Sequence, residues 1–298
     1  MDNNEPVLWS KETEIKFFRS SLEITTPETL FYKTNDNRFY AYWPKSYSET
    51  KSTLQSRNAY IGDFTEKFCV ELLSNYAKPR NLFAVKSVIC EELGLTKQST
   101  ADIAICKTQD RNQQPKNIVA IFEAKMSIVW NWELIRSISP YEFMCIGNYN
   151  SHQGNPGLLR SDSMLKAIGK SINIRVSSFQ ASKIPIIIFG NTPITRQYLS
   201  KVDHLKKSGI IQGFWSLNPD PLDGTFTIKH SPEKCFIRMD SFSELVNELD
   251  NLFIGQSEFF SSMLSKTELG RFIELANMES DYISKAQKFL TLIRGNIE

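Results

Sequence analysis

The chain has 298 residues, 35 Lys and Arg against 33 Asp and Glu, a formal net charge of +2 and 41% hydrophobic residues. This is the composition of a folded globular chain with ample length for a large core, and it excludes a disordered or uniformly basic one. No apolar run approaches the roughly 20 residues of a membrane span, and the polar start Met1-Asp2-Asn3-Asn4-Glu5-Pro6 lacks the apolar stretch of a signal peptide. A cytoplasmic protein with no membrane partner is therefore expected. Cys69, Cys90, Cys106, Cys145 and Cys235 form no CxxC pair and fall in apolar segments, which reads as buried free thiols.

Residues 1–57 read as an aromatic-rich arm, with Phe31-Tyr32 and Phe39-Tyr40-Ala41-Tyr42-Trp43 flanking a turn at Asn35-Asp36-Asn37. Residues 58–77 predict a helix: Asn58 is a candidate N-cap, and Ile61, Phe64, Phe68, Leu72 and Tyr76 recur at helical spacing. Residues 83–90, about 100–107 and about 117–125 predict three strands. A polar hairpin tip, Thr108 to Lys116, joins the second and third. Residues 128–138, with Trp130 and Trp132, read as a short helix or loop. A Gly/Asn-rich loop, Asn148 to Gly157, leads into a helix over about 157–178 that carries Arg160, Asp162, Lys166, Lys170 and Arg175. The fully apolar run at 183–190 predicts a buried strand. Thr192 and Pro193 predict the start of a helix running to about Lys207. Strands at 210–217 and 225–229 are expected next, with a helical region over 231–298.

Three strands on short links predict an antiparallel meander, and later strands alternating with helices predict parallel crossovers. The expected fold is α/β, a mixed central sheet flanked by helices with a helical C-terminal part, its core spanning residues 58–230.

Two of the strands carry acids where apolar residues are expected: Asp102 starts one and Glu123 lies near the end of the other. Lys125 follows Glu123 at the two-residue period of a strand, so both point to one face. Two carboxylates and an ammonium at neighbouring strand ends suit a divalent metal; a salt bridge at a strand end uses the same residues.

Asp102 and Glu123-Ala124-Lys125, with this element order, resemble the motif of the PD-(D/E)xK nuclease superfamily, and within it the type II restriction endonucleases. Ala101 stands where the motif prefers proline. The resemblance implies a restriction-endonuclease-like core and Asp102, Glu123 and Lys125 as catalytic residues. It implies Glu66 on the first helix as a further member, and Mg²⁺ held by Asp102, Glu123 and the Ala124 carbonyl. It also implies sequence-specific cleavage of double-stranded DNA to 5′-phosphate and 3′-hydroxyl ends, by a homodimer, in defence against foreign DNA. A repair, recombination or transposition nuclease of the same fold, or a non-catalytic DNA-binding protein, remain the rivals.

Candidate DNA contacts follow Lys125: Trp130, Asn131 and Arg136 directly after the strand, then Asn150, Asn155, Arg160 and Lys166 on and after the Gly/Asn loop. Core packing of the tryptophans, turn geometry for the Asn residues and a salt-bridge network of Arg160, Asp162 and Lys166 are the alternatives. No P-loop and no GxGxxG opens a helix, so no nucleotide cofactor is expected.

Overall fold

The computed structural model describes residues 5–48, 51, 54–136, 139–225, 227–254 and 266–294. Its first element escaped the sequence reading. The Ser10 side chain accepts from the Thr13 N–H and opens α1 (Lys11–Leu22), whose Phe17, Phe18 and Leu22 are buried. A single proline-initiated turn, α2 (Pro27–Leu30), precedes the hairpin of β1 (Tyr32–Lys33) and β2 (Phe39–Tyr40). Asn37 takes the left-handed φ of 62° that this turn needs, at the Asn/Asp cluster where the turn is expected.

Next come α3 (Gln55–Ala77), β3 (Phe83–Val88), β4 (Ala101–Cys106) and β5 (Ile118–Ala124). Two further strands follow, β6 (Asn131–Arg136) and β7 (Glu142–Gly147), then α4 (Ser161–Ser177), β8 (Ile186–Gly190), α5 (Leu199–Lys207), β9 (Gly213–Ser216) and β10 (Phe236–Arg238). The helices α6 (Phe242–Ile254), α7 (Lys266–Asn277) and α8 (Tyr282–Arg294) end the described chain. Residues 255–265 and 295–298, part of the expected helical region, lie outside the described residues.

The main sheet has the order β10-β9-β8-β5-β4-β3. β3, β4 and β5 pair antiparallel, whereas β5, β8, β9 and β10 run parallel. This is the expected mixed sheet, and its direction changes at β5. Because strand side chains alternate between faces, the sheet serves two cores. Ile103, Ile105, Phe122, Ile187 and Phe189 pack on one face, with Cys69, Leu72, Leu73 and Tyr76 of α3. Ala104, Cys106, Ile121, Ile186 and Ile188 pack on the other, with Met164, Ala167 and Ile174 of α4.

Several expectations need correction. Residues 128–138 hold a strand, β6, which pairs with β7 and β2 in a separate small sheet of order β1-β2-β6-β7. Trp132 and Leu134, two apart on β6, pack into the α3-side core, and Trp130 lies just before the strand. Residues 1–57 are not an arm: Trp9, Phe17, Phe18, Leu30 and Phe31 join the α3-side core, and the boundary at 57 falls inside α3. Asn58 therefore lies in the first turn of α3 and does not cap it. Thr192 caps no helix; its hydroxyl accepts from the Leu158 N–H at 2.9 Å, and α5 begins at Leu199. The sheet's last strand is β10, inside the region expected to be helical, and no strand is formed by the described residues of 225–229.

Glu14 ties the N-terminal helix to the small sheet. It is fully buried, and its carboxylate accepts from four N–H groups: Trp9 Nε1 at 3.1 Å, Val129 N at 2.5 Å, Trp130 N at 3.3 Å and Trp132 Nε1 at 2.8 Å. Burial pushes the Glu14 carboxyl up to about 7, against the pull of these donors. Replacing it by Gln turns an NH₂ group toward two of the donors. Glu14→Gln at pH 8 should therefore cost about 2–3 kcal/mol of stability in urea unfolding; an unchanged midpoint and slope would refute this role.

Candidate active site

The register of β4 against β5 assembles the site. Ile103 pairs with Phe122, so the antiparallel ladder puts Asp102, near the start of β4, level with Glu123, near the end of β5. Their separation of 21 positions is thus the length of the hairpin between them. The Ala124 N–H donates to Asp102 Oδ2 at 2.9 Å, which fixes this carboxylate to the end of β5.

Lys125 Nζ lies 3.3 Å from Asp102 Oδ2, 3.3 Å from Glu123 Oε2 and 3.2 Å from the Ala124 carbonyl oxygen. The two-residue period therefore holds, with Glu123 and Lys125 meeting on one face. A second ammonium comes from α4. Lys170 Nζ lies 2.6 Å from the Thr100 carbonyl oxygen, 3.2 Å from Asp102 Oδ1 and 2.7 Å from Glu123 Oε1. This last approach is a charge contact that leaves Glu123 Oε1 without a well-directed hydrogen bond. Glu123 is 0% exposed, against 18% for Asp102 and 20% for each lysine.

The two carboxyls differ in protonation because their surroundings differ. Burial would raise the Asp102 carboxyl, but Lys125, Lys170 and the Ala124 N–H together hold it below the usual carboxylate range. Burial, then the neighbouring Asp102 charge, push Glu123 up to about 7 despite both lysines. Burial pulls the Lys125 ammonium down, yet Asp102 and Glu123 outweigh it and keep the group above its ordinary value.

Lys170 is the member that sequence reasoning missed. It was read only as one charge on a helix. The signal is its place on α4: Met164, Ala167, Ser171 and Ile174 form the buried stripe, and position 170 falls on that stripe, three residues after Ala167 and four before Ile174. A lysine on a core-facing stripe needs a buried partner.

Glu66 does not join the other three. It sits on α3, which covers the opposite face of the sheet, and pairs with Lys86 at 3.2 Å. Burial and then the Asp102 charge raise its carboxyl, so Glu66 senses the cluster without touching it.

The candidate DNA contacts divide. Trp130 and Asn131 are 2% and 1% exposed and have no surface to offer. Trp130 donates to Glu14 and Asp223, and Asn131 Oδ1 accepts from the Tyr42 N–H. Arg136 is half-exposed at the end of β6, 3.8 Å from Glu142. Asn150 is exposed in a turn closed by its N–H on Asn148 Oδ1. Lys166 and Arg160 lie 3.1 Å and 3.7 Å from Asp162, the ion-pair network foreseen as an alternative. Asn155 and Arg160 line a cavity beside Ser127 and Ile128, directly after the lysine strand end. The loop is held close there: a side chain at Gly157, whose φ is +51°, would meet Thr192 Oγ1 at 2.9 Å and the Lys125 carbonyl oxygen at 3.3 Å.

Asp102, Glu123 and the Ala124 carbonyl offer hard oxygens, and Lys125 Nζ stands within 3.3 Å of all three residues, a cation among them. The set suits a small divalent ion that keeps part of its water shell. No group of three or more acids, His or Cys gathers for a metal among the described residues. No family model, curated protein or solved structure matches the chain.

The raised Glu123 carboxyl has a consequence for stability. The folded chain keeps this proton up to about pH 7, whereas the unfolded chain releases it near the ordinary 4.5. The folded state binds more protons in that window, so this group's contribution falls as pH rises through it and is constant above. Stability of Glu123→Gln relative to the parent should grow from about pH 4.5 to about pH 7 and then level off. Urea unfolding at pH 5, 6, 7 and 8 reads this; a pH-independent difference would show that Glu123 ionises as an exposed acid does.

Proposed function

We propose that this chain is a Mg²⁺-dependent endonuclease that cuts double-stranded DNA at specific sequences, as type II restriction enzymes do. The observation that carries the reading is the convergence of Asp102, Glu123, Lys125 and Lys170 where the antiparallel strands give way to parallel ones. The motif resemblance and the matching element order support it. Asp102, Glu123 and the Ala124 carbonyl would hold Mg²⁺, which would supply Lewis-acid polarisation of the phosphate and a water of lowered pKa.

The residues do the rest. Asp102, held ionised by two ammoniums, stays an oxygen ligand at neutral pH. Lys125 keeps its proton and places a positive charge where charge builds on the phosphate oxygens. Lys170 orients Glu123 and holds α4 against the strand end. The products are a 5′-phosphate and a 3′-hydroxyl. One cutting site per chain matches a symmetric homodimer on two-fold DNA, acting in the cytoplasm against foreign DNA.

One observation favours a second reading. Both carboxylates already face both ammoniums, so the cluster is self-neutralised, as a structural ion-pair network would be.

Digestion of sequenced plasmid DNA separates the two. The nuclease reading expects discrete fragments in Mg²⁺ and none with EDTA. Asp102→Ala and Lys125→Ala, still folded by circular dichroism, should lose about 10²–10⁴-fold in rate, and Lys170→Ala about 10²-fold. Parent-like cutting by folded Lys125→Ala would refute the site. No cutting by the parent, with marked destabilisation in all three variants, is the outcome of the structural network.

A further inference from the structure

The cavity beside the site contains a buried cation that the chemistry above does not use. Arg57 is 6% exposed, and no carboxylate pairs with it among the described residues. Its Nη1 donates to the Leu30 carbonyl oxygen at 3.1 Å and to that of Ala41. The guanidinium lies over the rings of Tyr32 and Tyr42, 5.2 Å and 5.0 Å from their centroids. Its Nε and Nη2 have no hydrogen-bond partner among the described residues, and Arg57 lines a cavity of about 410 Å³. A buried charge costs several kcal/mol unless it is matched, and rings and carbonyls match it only in part.

The charged side chains that line this cavity, Arg57 and Arg160, are both cationic, and the rest of its lining is neutral. No acidic side chain lines it among the described residues. Arg160 stands at its mouth, half-exposed, with Asp162 3.7 Å away. The amides of Asn58 and Asn155 face it without partners among the described residues. The cavity also sits at the start of α3, a helix of 23 residues with no side-chain cap and no acid in its first turn. Its first N–H groups and macrodipole add partial positive charge there.

We propose that Arg57 and Arg160 form a phosphate clamp for the DNA backbone, away from the scissile phosphate. This assignment rests on the nuclease reading. The guanidinium fork suits the two free oxygens of a phosphodiester.

The test measures binding of a 30-bp duplex in Ca²⁺ by the parent, Arg160→Gln and Arg57→Gln, over a series of salt concentrations. Each variant should bind about tenfold more weakly, with a salt slope shallower by about one. Thermal unfolding checks that Arg57→Gln folds; if it does not, Arg160→Gln and modified DNA carry the test. A single neutral methylphosphonate, scanned along the strand away from the mapped cut, should weaken parent binding about tenfold at one position and leave Arg160→Gln unaffected there. Unchanged affinity and slope in Arg160→Gln, with the parent still cutting, overturn the clamp alone. Duplex binding that loses slope in the variants while the parent never cuts upholds the clamp and overturns the nuclease reading. Inorganic phosphate binding that is lost in Arg160→Gln without any change in duplex affinity assigns the cavity to a small phosphate ligand and overturns the DNA assignment.

Discussion

A fully buried carboxylate has to be answered by charge, and Glu123 is the point on which the centre of this molecule turns. Even its two ammoniums together leave its carboxyl raised. Lys125 arrives on the same strand and also reaches Asp102; Lys170 arrives on α4 and also reaches the Thr100 carbonyl oxygen. The charge requirement therefore ties together the start of β4, the end of β5 and the helix that covers their face. The apolar packing of Met164, Ala167 and Ile174 supplies most of the attraction between α4 and the sheet, and it is indifferent to small shifts along the helix. The lysine contacts to Glu123, Asp102 and the Thr100 carbonyl oxygen join specific atoms and so favour one position.

This explains which parts of the molecule could be read from the chain. The meander and the parallel strands were legible because each is a short apolar run bounded by polar links. Asp102, Glu123 and Lys125 were legible because an acid inside such a run stands out, and the strand period then decides which face it takes. Lys170 was not, because a lysine on a helix draws no notice until the buried stripe beside it is traced. Glu66 is a different case: its chain position suits a site member, and in the structure it pairs with Lys86 and senses the Asp102 charge without touching the cluster.

The first 57 residues show a similar limit. Their aromatics read as an appendage because Phe31 to Trp43 has no regular period. The feature that organises them is Glu14, a single acid on the buried face of α1, whose donors come from Trp9 and from residues 129–132. Those partners are more than a hundred positions away in the chain, apart from Trp9. Pattern within a window reports local periodicity; it does not report which distant N–H groups a buried acid will collect.

The small sheet has a consequence of its own. The path from the end of β5 to the start of α4 leaves the main sheet, forms β6 and β7 against the N-terminal hairpin, and returns through the loop held at Gly157. Both ends of this excursion are pinned, at Glu14 and at Thr192, while the strands between them touch none of the four clustered charges. The charge cluster therefore takes none of its side chains from β6 and β7, whose pairing and packing bear on the N-terminal hairpin and α1 instead.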